Sequence, residues 1–418
     1  MIFVFYFFAA VLVFMSWKSF RGGIDYLNFF KNELRKPKSD FTPFVSIIAP
    51  CRGLDEDLEE NLSALFRQDF PEYEILFVVD DEADEAVKII EKVSSSKSVP
   101  SAVAGGFSPQ SKLIVAGKAY ENAQKAHNLR RAVLEVSGKS KVFVFVDSDA
   151  RPVANWLRDL IAPLRDENVG AASAYRWFIS KKFSFASEMR SVWNASIASA
   201  LGANQKTNFC WGGSMAIRRD TFEKLGIREK WRGVVSDDFA VTRAMKESGL
   251  PIRFVPQALT ASIENCSFKE LFEFTTRQMK ITRVYAANLW IQSFIGSFVF
   301  NLVFVWGILI LVFYYPPADA GGTDKAELPF WFALTSLMIV SVFSIGKAWL
   351  RLNAVKLVLK DHERELNRQF WTQNTLWILS PALFFYNAFC ALLSRKITWR
   401  GIKYKLVSPD RTEIIAGK

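Results

Sequence analysis

The hydrophobic pattern divides the chain into two kinds of segment. Long unbroken apolar runs occupy 1–17, 289–315, 330–350 and 370–394, and a central stretch between the first and second has short apolar runs alternating with helical spacing. A spanning helix needs ~20 apolar residues, so the first three runs are predicted to cross a membrane. The first lacks the leading positive charge and cleavage site of a secretory signal and is expected to be retained as an anchor. The fourth run has Pro381 near its centre, with Gln373, Asn374 and Asn387 around it, and is read as a re-entrant or broken helix. A full crossing there is the alternative.

In the central stretch, Phe44–Ala49, Ile75–Val79 and Lys141–Val146 read as strands, with a short one at Lys112–Ala116. Asp57–Arg67, Ala86–Val93 and Tyr120–Val136 carry apolar residues at helical spacing. This alternation predicts an α/β domain with a mostly parallel sheet covered on both faces. Its expected limits are 18–264, followed by interfacial helices at 265–288 and a basic tail at 395–418.

Charge orients the scheme. Lys18, Arg21, Lys31, Arg35, Lys36 and Lys38 follow the first run, which places the central domain in the cytoplasm by positive-inside bias. Asp319, Asp324 and Glu327 against Lys325 put the loop at 316–329 outside, and Arg351, Lys356, Lys360, Arg364 and Arg368 return the chain to the cytosol. Lys and Arg outnumber Asp and Glu by 53 to 42 in a chain that is 50% hydrophobic. The basic residues flank apolar runs, as expected of anchors to an anionic leaflet, and no nucleic-acid motif is present, so no nucleic-acid partner is expected. The chain is thus read as an integral membrane protein of a bacterial inner membrane or its equivalent. Four scattered cysteines form neither a metal spacing nor a disulfide framework.

In parallel α/β sheets, ligands bind beyond the carboxyl ends of the strands. Two predicted strands end in acids there: Val79-Asp80-Asp81 and Val146-Asp147-Ser148-Asp149. One such pair is commonly a turn or a cap; two in one sheet point to a ligand site. Asp147 and Asp149, one residue apart in an extended segment, point to the same side and suit a hard cation, Mg2+ or Mn2+.

With these motifs the sequence resembles the family-two glycosyltransferases of GT-A fold, and within them the ceramide glucosyltransferases and their bacterial relatives. The resemblance runs almost end to end. It implies that Asp81 contacts the donor's uracil, that Asp147 and Asp149 hold nucleotide and metal, and that Lys125 of Lys125-Ala126-His127-Asn128 lies near the phosphates. Trp211, Gly212 and Gly213 of Cys210-Trp211-Gly212-Gly213-Ser214-Met215 would line the donor sugar and acceptor; a tight turn into a strand is the other reading of that segment. In Ser236-Asp237-Asp238-Phe239 the second acid, Asp238, would be the general base, with Asp237 beside the acceptor, although such a pair before a helix also reads as an N-cap.

The family's Arg/Gln-x-x-Arg-Trp motif is met by Arg277-Gln278-Met279-Lys280-Ile281-Thr282-Arg283. Lys280 keeps the charge but loses the guanidinium fork, and Ile281 replaces the aromatic ring. Arg277 or Arg283 is left to supply the fork. Ile397-Thr398-Trp399-Arg400-Gly401-Ile402-Lys403-Tyr404 resembles the family's carboxyl-terminal Ser-Trp-Arg-Thr-Gly-Arg-Tyr stretch.

The resemblance implies an inverting, metal-dependent transfer of a hexose from a nucleotide sugar, expected to be UDP-linked, to a membrane lipid hydroxyl. A processive polysaccharide synthase of the same fold is the alternative. A membrane transporter or an inactive binding protein is more remote.

Overall fold

In the computed structural model of the chain, residues 2–95, 109–314 and 327–416 are described. The apolar runs of the central stretch form β1 (Val45–Pro50), β2 (Tyr73–Val79) and β4 (Val142–Val146), with β3 (Gln110–Val115) at the sheet edge. They pair in parallel, with Val45 opposite Tyr73 on one side and Val142 on the other, and β3 lying outside β2. Helices α2 (Leu58–Leu65), α3 (Ala86–Ser95) and α4 (Gln124–Ala132) connect them. Side chains along the strands alternate faces: Ile47, Ile75 and Val144 enter one buried cluster, while Ile48, Leu76, Phe143 and Phe145 enter another. Burial on both faces explains why these strands read as continuous apolar runs.

Helix α4 is shorter than the expected span of 120–136, because its first residue is used by the loop before it. The Gln124 side chain accepts from Ala119 N at 2.8 Å and donates to Gly117 O at 2.8 Å, holding 117–119 away from helical geometry.

The sheet continues past β4 with α5 (Trp156–Ile161), β5 (Ala171–Ser173), β6 (Arg176–Ile179), α6 (Phe185–Ala198) and β7 (Ser214–Arg218). Next come α7 (Arg219–Lys224), α8 (Ile227–Lys230), α9 (Asp237–Glu247), β8 (Ile252–Phe254) and β9 (Thr260–Ile263). The main sheet has the order β3-β2-β1-β4-β7-β5-β8. Only β7 runs antiparallel to its neighbours within it. Strands β6 and β9 form a separate parallel pair. The architecture is therefore mixed α/β with a mostly parallel sheet.

The Asp237-Asp238 pair opens helix α9 itself rather than preceding it, because Ser236 is the N-cap and its hydroxyl accepts from Phe239 N. Both acids therefore lie in a first helical turn, where negative charge is favoured.

Among the described residues, three helices are long and apolar enough to span a membrane: α1 (Ile2–Leu34), α11 (Ala287–Phe313) and α12 (Glu327–Lys356). The anchor at 1–17 is the first half of one continuous helix. The upper part of α1 packs Phe5, Ala9 and Leu12 against α11 and α12, and its lower part packs Tyr26 and Phe30 against Trp177 and Phe254 of the α/β domain. Amphipathic α10 (Phe268–Tyr285) leads into α11 and opens with a capping box of Ser267 and Glu270.

The fourth apolar run is divided between α13 (Glu363–Thr375) and α14 (Ser380–Leu393), which meet in a bend of 59°. Pro381 lies in the first turn of α14, where its missing N–H leaves no helical bond unmade. Residues 315–326, including Asp319, Asp324 and Lys325 of the loop assigned to the outside, lie outside the described residues, as does Lys418.

The segment expected to be a basic tail is a small antiparallel sheet of β10 (Lys396–Trp399), β11 (Ile402–Ser408) and β12 (Arg411–Ala416). In β11, Ile402, Tyr404 and Leu406 are buried against Ala123, Val235 and Ile281, whereas Lys403 and Lys405 face outward. The Tyr404 hydroxyl accepts from Gln124 N at 3.2 Å, tying this sheet to the start of α4.

Candidate active site

Parallel β4 delivers Asp147, Ser148 and Asp149 to its carboxyl end, and α4 presents Lys125 from its first turn toward them. Lys125 Nζ stands 2.7 Å from Asp147 and 3.4 Å from Asp237. Burial alone would lower the Lys125 pKa, but the surrounding Asp147, Asp237 and Asp238 outweigh it and raise it, so this amine stays protonated. Burial pushes the Asp237 carboxyl up to about 7, with Lys125 opposing the rise and Asp238 and Asp147 adding to it. Asp237 Oδ2 is buried without a hydrogen-bond partner.

Asp238 is tied more firmly. Its Oδ1 accepts from Phe239 N at 2.8 Å and from the Ser236 hydroxyl, and its Oδ2 accepts from Gly212 N at 3.3 Å. It thereby links the start of α9 to the turn before β7.

That turn needs its glycines for space, since neither has a positive φ. A Cβ on Gly212 would lie 2.6 Å from Asp237 Oδ2 and 2.8 Å from Lys125 Nζ. A Cβ on Gly213 would overlap the Trp211 ring and lie 2.7 Å from Asp147 Oδ2. Trp211 leans on Tyr175, with ring centroids 5.4 Å apart, and the Arg176 guanidinium lies 5.1 Å over its ring. The segment is thus both a turn into a strand and a wall of the site.

Asp149 pairs with Arg176 at 2.6 Å. Burial would raise the pKa of Asp149, yet Arg176 and Arg400 hold it below the usual carboxylate value. Its Oδ1 is buried with no hydrogen-bond partner. Among the described residues, no group of three His, Cys, Asp or Glu side chains is arranged to hold a metal. Asp147 and Asp149 still fit a divalent cation of the Mg2+ or Mn2+ kind, which commonly takes one or two protein carboxylates and completes its shell with phosphate and water. The orphaned oxygen of Asp149 is a free donor for it.

These groups line one cavity of about 830 Å3. It runs from the acids past Trp211 and Arg277 to Ile197, Phe209, Leu289, Ser293 and Phe384, so its far end is built by α6, α11 and α14. Arg277 sits between the rings of Phe274 and Trp399, 5.5 Å from each centroid. Burial and the neighbouring Arg176 and Arg400 lower its pKa to about 10.

Three expected residues lie apart from this cluster. Asp81 is exposed, and its Oδ1 accepts from Ala83 N at 3.0 Å, while its neighbour Asp80 pairs with Arg52 at 2.6 Å. Lys280 donates to Lys396 O at 2.8 Å, bracing α10 against the small sheet. Arg283 donates to Ala391 O at 2.5 Å and Leu392 O at 3.0 Å, capping the end of α14.

Other groups enter that motif reading did not single out. Asp55, beyond the end of β1, accepts from the Ser148 hydroxyl at 2.5 Å and pairs with Arg400. The rule that favours strand ends would have found Asp55; nothing local marks Arg176.

Comparison with solved structures finds partial similarity to two glycosyl-transferring enzymes. A mannosyltransferase from Pyrobaculum calidifontis, solved with GDP-Man and Mn2+, is 17% identical, with 91% of this chain and 99% of that one covered and a TM-score of 0.43. Glucosyl-3-phosphoglycerate synthase from Mycobacterium tuberculosis, solved with Mn2+ and UDP-glucose, is 13% identical, with 58% of this chain and 78% of that one covered and a TM-score of 0.34. At the level of sequence, the model of glycosyl transferase family 21 matches residues 3–412, nearly the whole chain, and the protein is therefore a member of glycosyl transferase family 21.

Proposed function

We propose that this glycosyltransferase moves a hexose from a UDP-linked donor to a lipid hydroxyl at the cytosolic membrane surface, with inversion at the anomeric carbon. The observation that carries this reading is the continuity of the cavity: one end holds Asp147, Asp149, Lys125 and Asp238, and the other is walled by Leu289 of α11 and Phe384 of α14. A lipid with its tail among the membrane helices would present its head to the acids.

In this reading Lys125 binds the donor's diphosphate end, and Asp147 and Asp149 would hold the cation, for which the Oδ1 of Asp149 is unengaged. A bound divalent cation would neutralise charge on the departing nucleoside diphosphate. The acceptor oxygen attacks the anomeric carbon as the bond to the diphosphate breaks, and its proton passes to Asp238. Trp211 walls the sugar, and the turn at Gly212 lets backbone approach it. The re-entrant reading of 370–394 is kept: α12 ends beside the α/β domain and β10 begins against it, which supports a bent pair that enters and leaves on one side.

One observation favours a second assignment of the base. Asp237 has an unpartnered buried oxygen and a pKa near 7, which suits a proton acceptor, whereas Asp238 is held by three donors.

The test is to incubate membranes containing the protein with a panel of labelled nucleotide sugars and to extract the lipids. Label is expected in a single glycolipid, from a UDP-sugar. Label that appears only in a water-soluble polymer would favour the polysaccharide synthase instead.

A further inference from the structure

The segment Trp399-Arg400-Gly401 has no place in the reaction as described so far, yet it reaches into the site. Strands β10 and β11 pair with Trp399 opposite Ile402, so Arg400 and Gly401 form a two-residue turn. Their φ values of 48° and 79° are both positive. Tight hairpin turns of this kind favour Asn, Asp or Gly at the first position, and an arginine there is disfavoured by its Cβ. A strained residue at a fixed position points to a use for its side chain.

The side chain is aimed at the donor end of the cavity. Arg400 pairs with Asp55, whose other oxygen accepts from Ser148, the residue between Asp147 and Asp149. Arg400 also lies close enough to Asp149 and Asp147 for their charges to act on it. Its side chain keeps 41% of its exposure, so N–H groups beyond those given to Asp55 remain open. The preceding residue, Trp399, lies against Arg277, for which no carboxylate partner occurs among the described ion pairs. Arg277 and Arg400, which precede and follow the membrane region in sequence, thus both line the cavity close enough to Asp149 for its charge to act on them. Where the sequence resemblance placed an arginine and a tryptophan, Lys280 is turned to Lys396 O and Ile281 gives the cavity wall only an aliphatic side chain.

We propose that the hairpin tip supplies the missing tryptophan and arginine: Arg400, with Arg277 braced on Trp399, grips the diphosphate of the nucleotide sugar. This rests on the nucleotide-sugar reading given above. The small sheet is then a working part of the donor site, and Asp55 holds Arg400 in position until the diphosphate arrives.

The test uses the purified full-length chain in detergent with Mn2+, and calorimetric titration of UDP and of uridine. Arg400→Gly suits the turn, so the melting temperature is expected to hold or rise while UDP binds roughly ten- to hundredfold more weakly, the range for a lost charge-assisted bond. Uridine affinity is expected to change less than about threefold, and Arg400→Lys to fall between wild type and Arg400→Gly. Arg411→Gly, on an exposed strand of the same sheet, is expected to leave UDP binding unchanged. UDP binding by Arg400→Gly equal to wild type, or an equal loss for uridine and UDP, would overturn the proposal. A wild-type protein that binds none of UDP, GDP, CDP or ADP would instead overturn the nucleotide-sugar reading on which it stands.

Discussion

The Arg176 guanidinium stands 2.6 Å from Asp149, so the second acid of the Asp147-Ser148-Asp149 motif is charge-matched by the protein itself. A cation held by this acid would share it with Arg176, and its Oδ1 is engaged by no hydrogen bond.

Asp147→Ala and Asp149→Ala are each expected to abolish transfer, and chelation to do the same until Mn2+ or Mg2+ is restored. Arg176→Gln removes a competing positive charge, and it should lower the Mn2+ concentration for half-saturation in an electron paramagnetic resonance titration with UDP present. Full activity in excess chelator would end the metal role. An unchanged Mn2+ requirement in Arg176→Gln would show that Asp149 is not shared.

Asp238→Asn is expected to lower kcat by at least about two orders of magnitude while donor affinity stays near that of wild type, as for loss of a general base. Asp237→Asn removes a carboxylate that competes with the diphosphate for Lys125, so donor binding should be kept or tightened and turnover should fall less than in Asp238→Asn. If Asp237→Asn instead loses turnover with donor binding intact, and Asp238→Asn keeps it, Asp237 is the base.

Stability should depend on pH through Asp237. Its folded pKa of about 7 lies above the ordinary carboxylate value, so between the two the folded state holds a proton that the unfolded chain has released. Stability then falls as pH rises from about 4 to about 7, by at most about 1.4 kcal/mol per pH unit. Denaturation of wild type and Asp237→Asn at pH 5 and pH 7.5 checks this. The variant should lose much less stability across the interval.

Gly213→Ala is expected to be more damaging than Gly212→Ala. The Gly213 Cβ meets the Trp211 ring, which is packed on Tyr175 and Arg176, whereas the Gly212 Cβ meets the ends of two side chains that can swing away. kcat/KM should fall at least about tenfold for Gly213→Ala with the melting temperature largely kept. Equal, near-normal activity in both would mean that this wall does not contact substrate.

Single cysteines at Lys92 and at Glu413, in a background without native cysteines, should be labelled from the same side of the membrane. The small sheet docks on the α/β domain through Tyr404 and Gln124, and in the re-entrant reading proposed above 370–394 returns to the side it left. Labelling of Glu413→Cys and Lys92→Cys from opposite sides would show a full crossing and a different docking.

What the sequence determined by itself is what short-range physics writes into neighbouring residues. Short continuous apolar runs marked β1, β2 and β4, and apolar length marked α1, α11 and α12. Acids directly after a parallel strand marked Asp147 and Asp149, and Pro381 marked the break at α14. Each of these signals lies within a single helix or strand and the turn beside it.

Only the tertiary structure decided which charges meet. Arg176 reaches Asp149 across 27 positions, and Arg400 reaches Asp55 across 345, because separate elements dock there. The same docking turned Lys280 and Arg283 toward backbone carbonyls of β10 and α14 and left Asp81 exposed, although the resemblance had assigned Asp81 and Arg283 to the nucleotide donor and Lys280 to the sugar or acceptor. An ion pair depends on distance in space and carries no periodicity along the chain. Its members therefore become legible only once the helices and sheets that carry them are packed.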